Sequence, residues 1–162
     1  PPVPGRLEPV VNPLGLKIYV DFAHSDDALG NVLETLKEFK QGRIITVFGC
    51  GGNRDATKRP KMAQVCEGRS ELIVITSDNP RGEDPEEILR QIAAGFSKEC
   101  RYYKEADRYR AIEKAIDLAT PDDIILIAGK GHETQQIFAH KIVDFDDRKV
   151  ALEICRKKFQ RL

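Results

Sequence analysis

The 162-residue sequence contains no tryptophan and a single methionine, and its four cysteines stand far apart. Cys50, Cys66, Cys100 and Cys155 form no C-x-x-C pair, so neither a zinc module nor a disulfide framework is suggested. They read as mostly buried free thiols of a reducing compartment. No charge of one sign is in surplus: 26 Lys and Arg balance 26 Asp and Glu. That excludes a general attraction to nucleic acid or to a membrane surface. No apolar run approaches the ~18 residues of a membrane span, and the first residues have no signal-peptide pattern. Internal repeats and low-complexity tracts are absent. A cytoplasmic protein with no nucleic-acid or membrane partner is expected. Its length suffices for one domain with a real core.

Proline is crowded into the first 15 residues, at Pro1, Pro2, Pro4, Pro9 and Pro13. Each stiffens the backbone and removes an amide donor. Residues 1–15 therefore read as a linker, or as the trailing end of something upstream. From Leu16 the pattern changes. Apolar runs at Leu16–Val20, Arg43–Phe48, Leu72–Thr76 and Ile124–Ala128 alternate with stretches of helical spacing, and Arg101–Tyr103 is a weaker run. Ser25, Asp84 and Asp107 are candidate N-caps. Pro85 at the first helical position and Glu87 three residues after Asp84 suggest a capping box. Gly42 is expected to stop the first helix and Gly68 the second, which starts near Pro60. Residues 137–143 suggest a short, antiparallel strand, and Asp146 opens a last helix. Near-continuous apolar strands alternating with helices predict an α/β, Rossmann-like fold: a mostly parallel sheet of about six strands with helices on both faces.

Right-handed crossovers then put the loops 21–27, 49–57, 77–83 and 129–135 on one sheet edge, where open α/β sheets bind ligands. Ser77-Asp78-Asn79-Pro80-Arg81 alone reads as a polar strand-to-helix loop. Its companions add chemistry. Gly49-Cys50-Gly51-Gly52-Asn53-Arg54 fails the dinucleotide fingerprint, because Arg54 stands where the third glycine belongs. Its glycines permit positive φ and close backbone approach. Gly129-Lys130-Gly131-His132-Glu133 is neither a phosphate loop nor a zincin motif. Together the loops offer Arg54 and Arg81 as cations, Asp78 and Glu133 as anions, and Asn79 and Gly129 as amide and backbone groups. Mixed charge suits a zwitterionic ligand, with arginine gripping a carboxylate bidentately. No Ser–His–Asp or Cys–His nucleophile set and no metal cluster are evident.

Six stretches carry a resemblance: Pro4-Gly5-Arg6-Leu7-Glu8, Val20-Asp21-Phe22-Ala23-His24, Val47 through Asp55, Lys58-Arg59-Pro60, Thr76 through Arg81, and Ala128 through Glu133. In this order and spacing the sequence resembles the C-terminal domain of the Mur ligases, in particular their diaminopimelate-adding branch. The resemblance covers essentially the whole chain. It implies a three-domain ATP-dependent ligase of peptidoglycan biosynthesis that forms an amide bond through an acyl phosphate. Residues 16–162 would be the amino-acid-binding domain, and 1–15 the end of a central ATP domain lying upstream.

The resemblance further implies that Arg54, Asp78, Asn79, Pro80, Arg81, Gly129 and Glu133 bind meso-2,6-diaminopimelate. Arg81 would grip the carboxylate remote from the reacting amine. Arg6, Asp21 and His24 would face ATP. Lys130 is assigned no ligand contact, and no catalytic or metal-binding residue is expected here. Mg2+ and ATP would be held mainly by the central domain, and the UDP-N-acetylmuramoyl dipeptide by the other domains. The chain alone would fold without ligating. One departure is Asp26, where the family usually has proline. A lysine-adding ligase is the near alternative, a folate-polyglutamate ligase relative a further one, and a stand-alone nucleotide-binding module a different class.

Overall fold

The computed structural model describes residues 4–162; Pro1, Pro2 and Val3, assigned above to the linker, lie outside the described residues. Among the described residues eight strands and five helices follow one another. They are β1 (Glu8–Pro9), β2 (Lys17–Asp21), α1 (Asp26–Lys37), β3 (Ile44–Phe48), α2 (Lys58–Glu67), β4 (Leu72–Ile75) and α3 (Pro85–Ala93), then β5 (Tyr102–Lys104), α4 (Arg108–Leu118), β6 (Ile124–Ala128), β7 (Gln135–Ile137), β8 (Ile142–Asp144) and α5 (Asp147–Gln160).

Six strands form the main sheet in the order β1-β2-β6-β3-β4-β5. All neighbours are parallel except β1, which pairs antiparallel with β2. The period-two alternation of the strands divides two cores. Ile44, Phe48, Ile73, Ile75, Ile124 and Leu126 face α1, α2 and α3. Ile45, Val47, Leu72, Val74, Ile125 and Ile127 face α4 and α5. Both faces of β3, β4 and β6 are thus buried, which is why these strands carry no polar alternation.

The order contains a reversal. The chain runs β2, β3, β4, β5, then returns along the opposite face to insert β6 between β2 and β3. At that reversal the loops after β2, β6, β3 and β4 stand side by side, as a switch point requires.

Several sequence expectations shift. Part of the expected linker is structured: Glu8–Pro9 is an edge strand, a position where proline's missing amide is tolerated. Helix α1 ends at Lys37, not at Gly42, because Glu38 and Phe39 tighten to bonds on the residue three before. Phe39 turns out of the helix and meets Tyr19 edge-on. Helix α2 starts at Lys58, two residues before Pro60, which still occupies a first-turn position without an intrahelical amide bond to lose. Residues 137–143 are not one strand but the turn and arms of the β7–β8 hairpin, closed by the Phe138 amide on the Lys141 carbonyl at 2.9 Å. Asp84 caps α3 through the Glu86 amide at 3.0 Å, but Glu87 does not complete a capping box. Its carboxylate is taken by Arg90, a charged donor on the same helix face, and by Gln91.

Candidate functional site

A cleft of about 360 Å³ opens at the carboxyl edge of the sheet and draws residues from all four loops. Phe22 and His24 come from the loop after β2. Gly49, Cys50, Gly51, Arg54, Asp55 and Lys58 follow β3; Asp78, Asn79 and Arg81 follow β4; Gly129 and Glu133 follow β6. Six of the seven residues assigned to an amino-acid ligand line this one cleft. The seventh, Pro80, is buried behind it and packs against the glycine loop.

The 77–81 loop is held from two sides. Gln136 on β7 donates to the carbonyls of Asp78 at 2.9 Å and Ser77 at 3.4 Å. The Ile137 amide donates to Asn79 Oδ1 at 3.0 Å, and the Arg81 amide to the Ile137 carbonyl at 2.9 Å. On the other side the Gly52 amide reaches the Asn79 carbonyl at 2.8 Å. Gly52 is required for that approach: a Cβ there would lie 1.7 Å from the Pro80 carbonyl oxygen. The positive φ expected of this glycine loop falls instead on Asn53, at 54°, where asparagine tolerates it. Arg81 also has positive φ, 52°, a strained conformation that turns its side chain back over the glycine loop. There its Nη1 donates to the Gly52 carbonyl at 3.1 Å. Arg54 is exposed at the rim, with Nη1 on the Asn53 carbonyl.

The charges differ in setting. Asp78 is buried against Gly129, whose φ of 119° and missing side chain leave room for the carboxylate. Burial pushes the Asp78 carboxyl above its ordinary range, while Arg108 and Lys130 draw it back. Burial also raises the Cys50 thiol to about 12, so it is no nucleophile at neutral pH. Cys66 and Cys155 are likewise buried thiols, and Cys100 is half-buried.

Arg6, Asp21 and His24 meet at a second, smaller cleft of about 230 Å³, shared with Ala28, Asn31 and Val32. Arg6 and His24 are exposed there. Asp21 is buried, with Oδ1 accepting from the Leu7 amide and Oδ2 from the Ala23 amide, each at 2.8 Å. Asp21 therefore anchors the 4–8 turn and sets the position of Arg6. His24 borders both clefts. Its ring lies edge-on to Phe22, and its carbonyl accepts from Lys58 Nζ at 2.7 Å.

Two buried arginines were given no role in the reading of the sequence, although Arg59 lies in the Lys58-Arg59-Pro60 stretch. Arg108 makes a fully buried pair with Asp147 at 2.8 Å and also donates to the carbonyls of Ser77 and Ala128. It thereby joins the ends of β4 and β6 beneath the cleft. Arg59 pairs with Glu83 at 2.8 Å and donates to Gln91 and to the Gly51 carbonyl, joining the glycine loop to the loop before α3. A signal existed. Both arginines stand in the first turn of a helix that has no acid there, where the helix dipole disfavours a cation. Such a placement marks a charge recruited by tertiary partners. Lys130 is also fully buried, although it was given no role.

Fold and cleft together define a Rossmann-like α/β domain with a charged, ligand-sized cleft at its topological switch point. The chain belongs to the Mur ligase family: residues 5–131 match the family described as Mur ligase, glutamate ligase domain. It is 49% identical over 156 residues to the UDP-N-acetylmuramoyl-L-alanyl-D-glutamate–2,6-diaminopimelate ligase of Clostridioides difficile strain 630, covering 96% of this chain and 32% of that protein. A solved structure of a ligase of the same name superposes with a TM-score of 0.90 at 37% identity, over 97% of this chain and 32% of the other. A Mycobacterium tuberculosis folylpolyglutamate synthase solved with ADP gives 0.62 at 25% identity, over 79% and 30%. The chain thus spans about a third of the length of these relatives.

Proposed function

We propose that this chain is the amino-acid-presenting C-terminal domain of an ATP-dependent ligase that adds meso-2,6-diaminopimelate to UDP-N-acetylmuramoyl-L-alanyl-D-glutamate in peptidoglycan biosynthesis. The observation that carries this is the convergence of Arg54, Arg81, Asp78, Asn79 and Glu133 on one cleft. Two guanidinium groups suit two carboxylates, and the acids suit ammonium. The names of relatives near 50% identity agree. In this reading Arg81 takes the carboxylate remote from the reacting amine, with Asn79 beside it. Asp78 and Glu133 receive an ammonium. Arg54, exposed at the rim, would close over a second carboxylate. Pro80 and Gly129 shape the wall.

ATP activates the glutamyl carboxylate as an acyl phosphate; the amine of diaminopimelate attacks it, and phosphate leaves. The contribution of this domain is positioning and electrostatic complementarity. Arg6 and His24, held by Asp21 at the smaller cleft, would meet ATP. Among the described residues no group of three His, Cys, Asp or Glu side chains could hold a metal ion. Among the described residues no helix is long and apolar enough to cross a membrane.

Calorimetric competition between meso-diaminopimelate and lysine decides the substrate. Lysine has no second carboxylate for Arg81. Preferential binding of diaminopimelate supports the reading, and equal or stronger binding of lysine would replace it with a lysine-adding ligase.

A further inference from the structure

We propose that Lys130 is a positioning residue that orients the Asn79 amide and thereby sets the preference for a carboxylate at the remote end of the amino acid. This rests on the substrate reading above. Lys130 follows β6 and its side chain is fully buried. Burying an ammonium without partners is costly, so its contacts are the reason it is there. Its Nζ donates to Asn79 Oδ1 at 3.2 Å, to Glu133 Oε1 at 3.4 Å, and to the Gln135 carbonyl.

The consequence lies in Asn79. A side-chain amide presents one accepting and one donating end, and which end faces a ligand depends on what holds the other. Asn79 Oδ1 already accepts two hydrogen bonds, from Lys130 Nζ and from the Ile137 amide at 3.0 Å. Both lone pairs are occupied. Nδ2 is therefore turned toward the cleft, where it lies 3.5 Å from Glu133 Oε1. A donor in that place attracts a carboxylate and repels an ammonium. An amide flipped the other way would do the reverse. Lys130 makes the flip unfavourable, because Nδ2 would then face an ammonium and a backbone N–H.

The same ammonium also binds Glu133, so one buried charge orients a carboxylate-facing donor and restrains an ammonium-facing acid. Two ends of a zwitterionic ligand are thereby held in register. Lys130 touches neither end.

The test is nuclear magnetic resonance of this chain, following the Asn79 side-chain NH2 signal, identified by its loss in Asn79→Asp. In Lys130→Met the signal of the ligand-free protein should shift and broaden as the amide samples both orientations. The ratio of diaminopimelate to lysine affinity should fall about tenfold, the effect of one misdirected charge-assisted hydrogen bond. An unchanged Asn79 signal, or an unchanged ratio, in a folded Lys130→Met would overturn the proposal. Should that variant not fold, Asn79→Asp decides. It keeps an oxygen on Lys130 and turns the other toward the cleft, so diaminopimelate affinity should drop while lysine affinity holds. Diaminopimelate binding equal to wild type would overturn the proposal. If wild type bound neither amino acid, the substrate reading would fail, and the ligand-free spectra of Lys130→Met would still decide whether Lys130 orients Asn79.

Discussion

Arg81 Nη1 donates to the carbonyl of Gly52 at 3.1 Å, across a contact in which the two loops meet backbone to backbone. The Arg81 guanidinium is therefore aimed by the glycine loop as much as by its own. Gly52→Ala would drive a Cβ to 1.7 Å from the Pro80 oxygen, so the loops must separate. A loss of roughly 1–3 kcal/mol in urea unfolding is expected, the usual range for overpacking. Gly51→Ala would crowd the Arg81 guanidinium at 2.9 Å, a group that can swing away, and would otherwise meet Arg54 Cγ and the Asn79 carbonyl only at ordinary contact distances. This variant should retain stability and lose amino-acid affinity. Equal stability of the two variants would contradict the packing described.

Removing the Arg81 guanidinium should act on one ligand and not on the other. Arg81→Ala is expected to weaken diaminopimelate binding by roughly 2–5 kcal/mol, since the remote carboxylate loses its charged partner. Lysine binding should stay within a factor of about two, well under 1.4 kcal/mol. Calorimetry with both amino acids checks this, and a parallel loss for both would point to collapse of the loop.

The Arg108–Asp147 pair is fully buried on both sides. Arg108→Met leaves Asp147 without its charged partner and takes one donor each from the carbonyls of Ser77 and Ala128, at a cost of about 3–5 kcal/mol. Replacing both, as Arg108→Met with Asp147→Leu, should recover much of that stability, because the uncompensated charge is gone. It should not recover ligand affinity, since the ends of β4 and β6 remain untied. Thermal unfolding and calorimetry on the two variants separate these outcomes.

Asp123 joins the starts of β3 and β6 by accepting from the Arg43 amide and guanidinium and from the Thr120 amide. Although burial opposes ionisation, these bonds hold its carboxyl down at about 2. A depressed pKa means stability that is present above the ordinary carboxylate range and lost as the pH falls through it. About 1–2 kcal/mol is expected, because Arg43 is partly exposed and screened. Asp123→Asn should be less stable than wild type at neutral pH, and the gap should close between about pH 4 and pH 2. Urea unfolding across that range tests it; a constant gap would mean that packing, not charge, accounts for the loss.

Much of the fold was readable because β3, β4 and β6 are buried on both faces, and nothing but continuous apolar runs suits such strands. Ser25, Asp84 and Asp107 were readable as caps because an N-cap is a local bond. The β7–β8 hairpin was not, since its arms are three residues each and its value lies in bonds to the distant 77–81 loop. The capping box failed for a similar reason: Glu87 had a stronger partner in Arg90 than spacing alone revealed.

The sequence by itself determined that Asp78-Asn79-Pro80-Arg81 follows a buried strand, and that four polar loops share one sheet edge. Only the tertiary structure decided which loops touch. Inserting β6 between β2 and β3 brings Gly129 against Asp78 and Lys130 against Asn79, residues about fifty positions apart along the chain. Strand order depends on which crossovers bury the most surface over the whole sheet, a global quantity that no local pattern encodes. The orientation of the Asn79 amide, and so whether its donor or its acceptor faces the cleft, depends on that order.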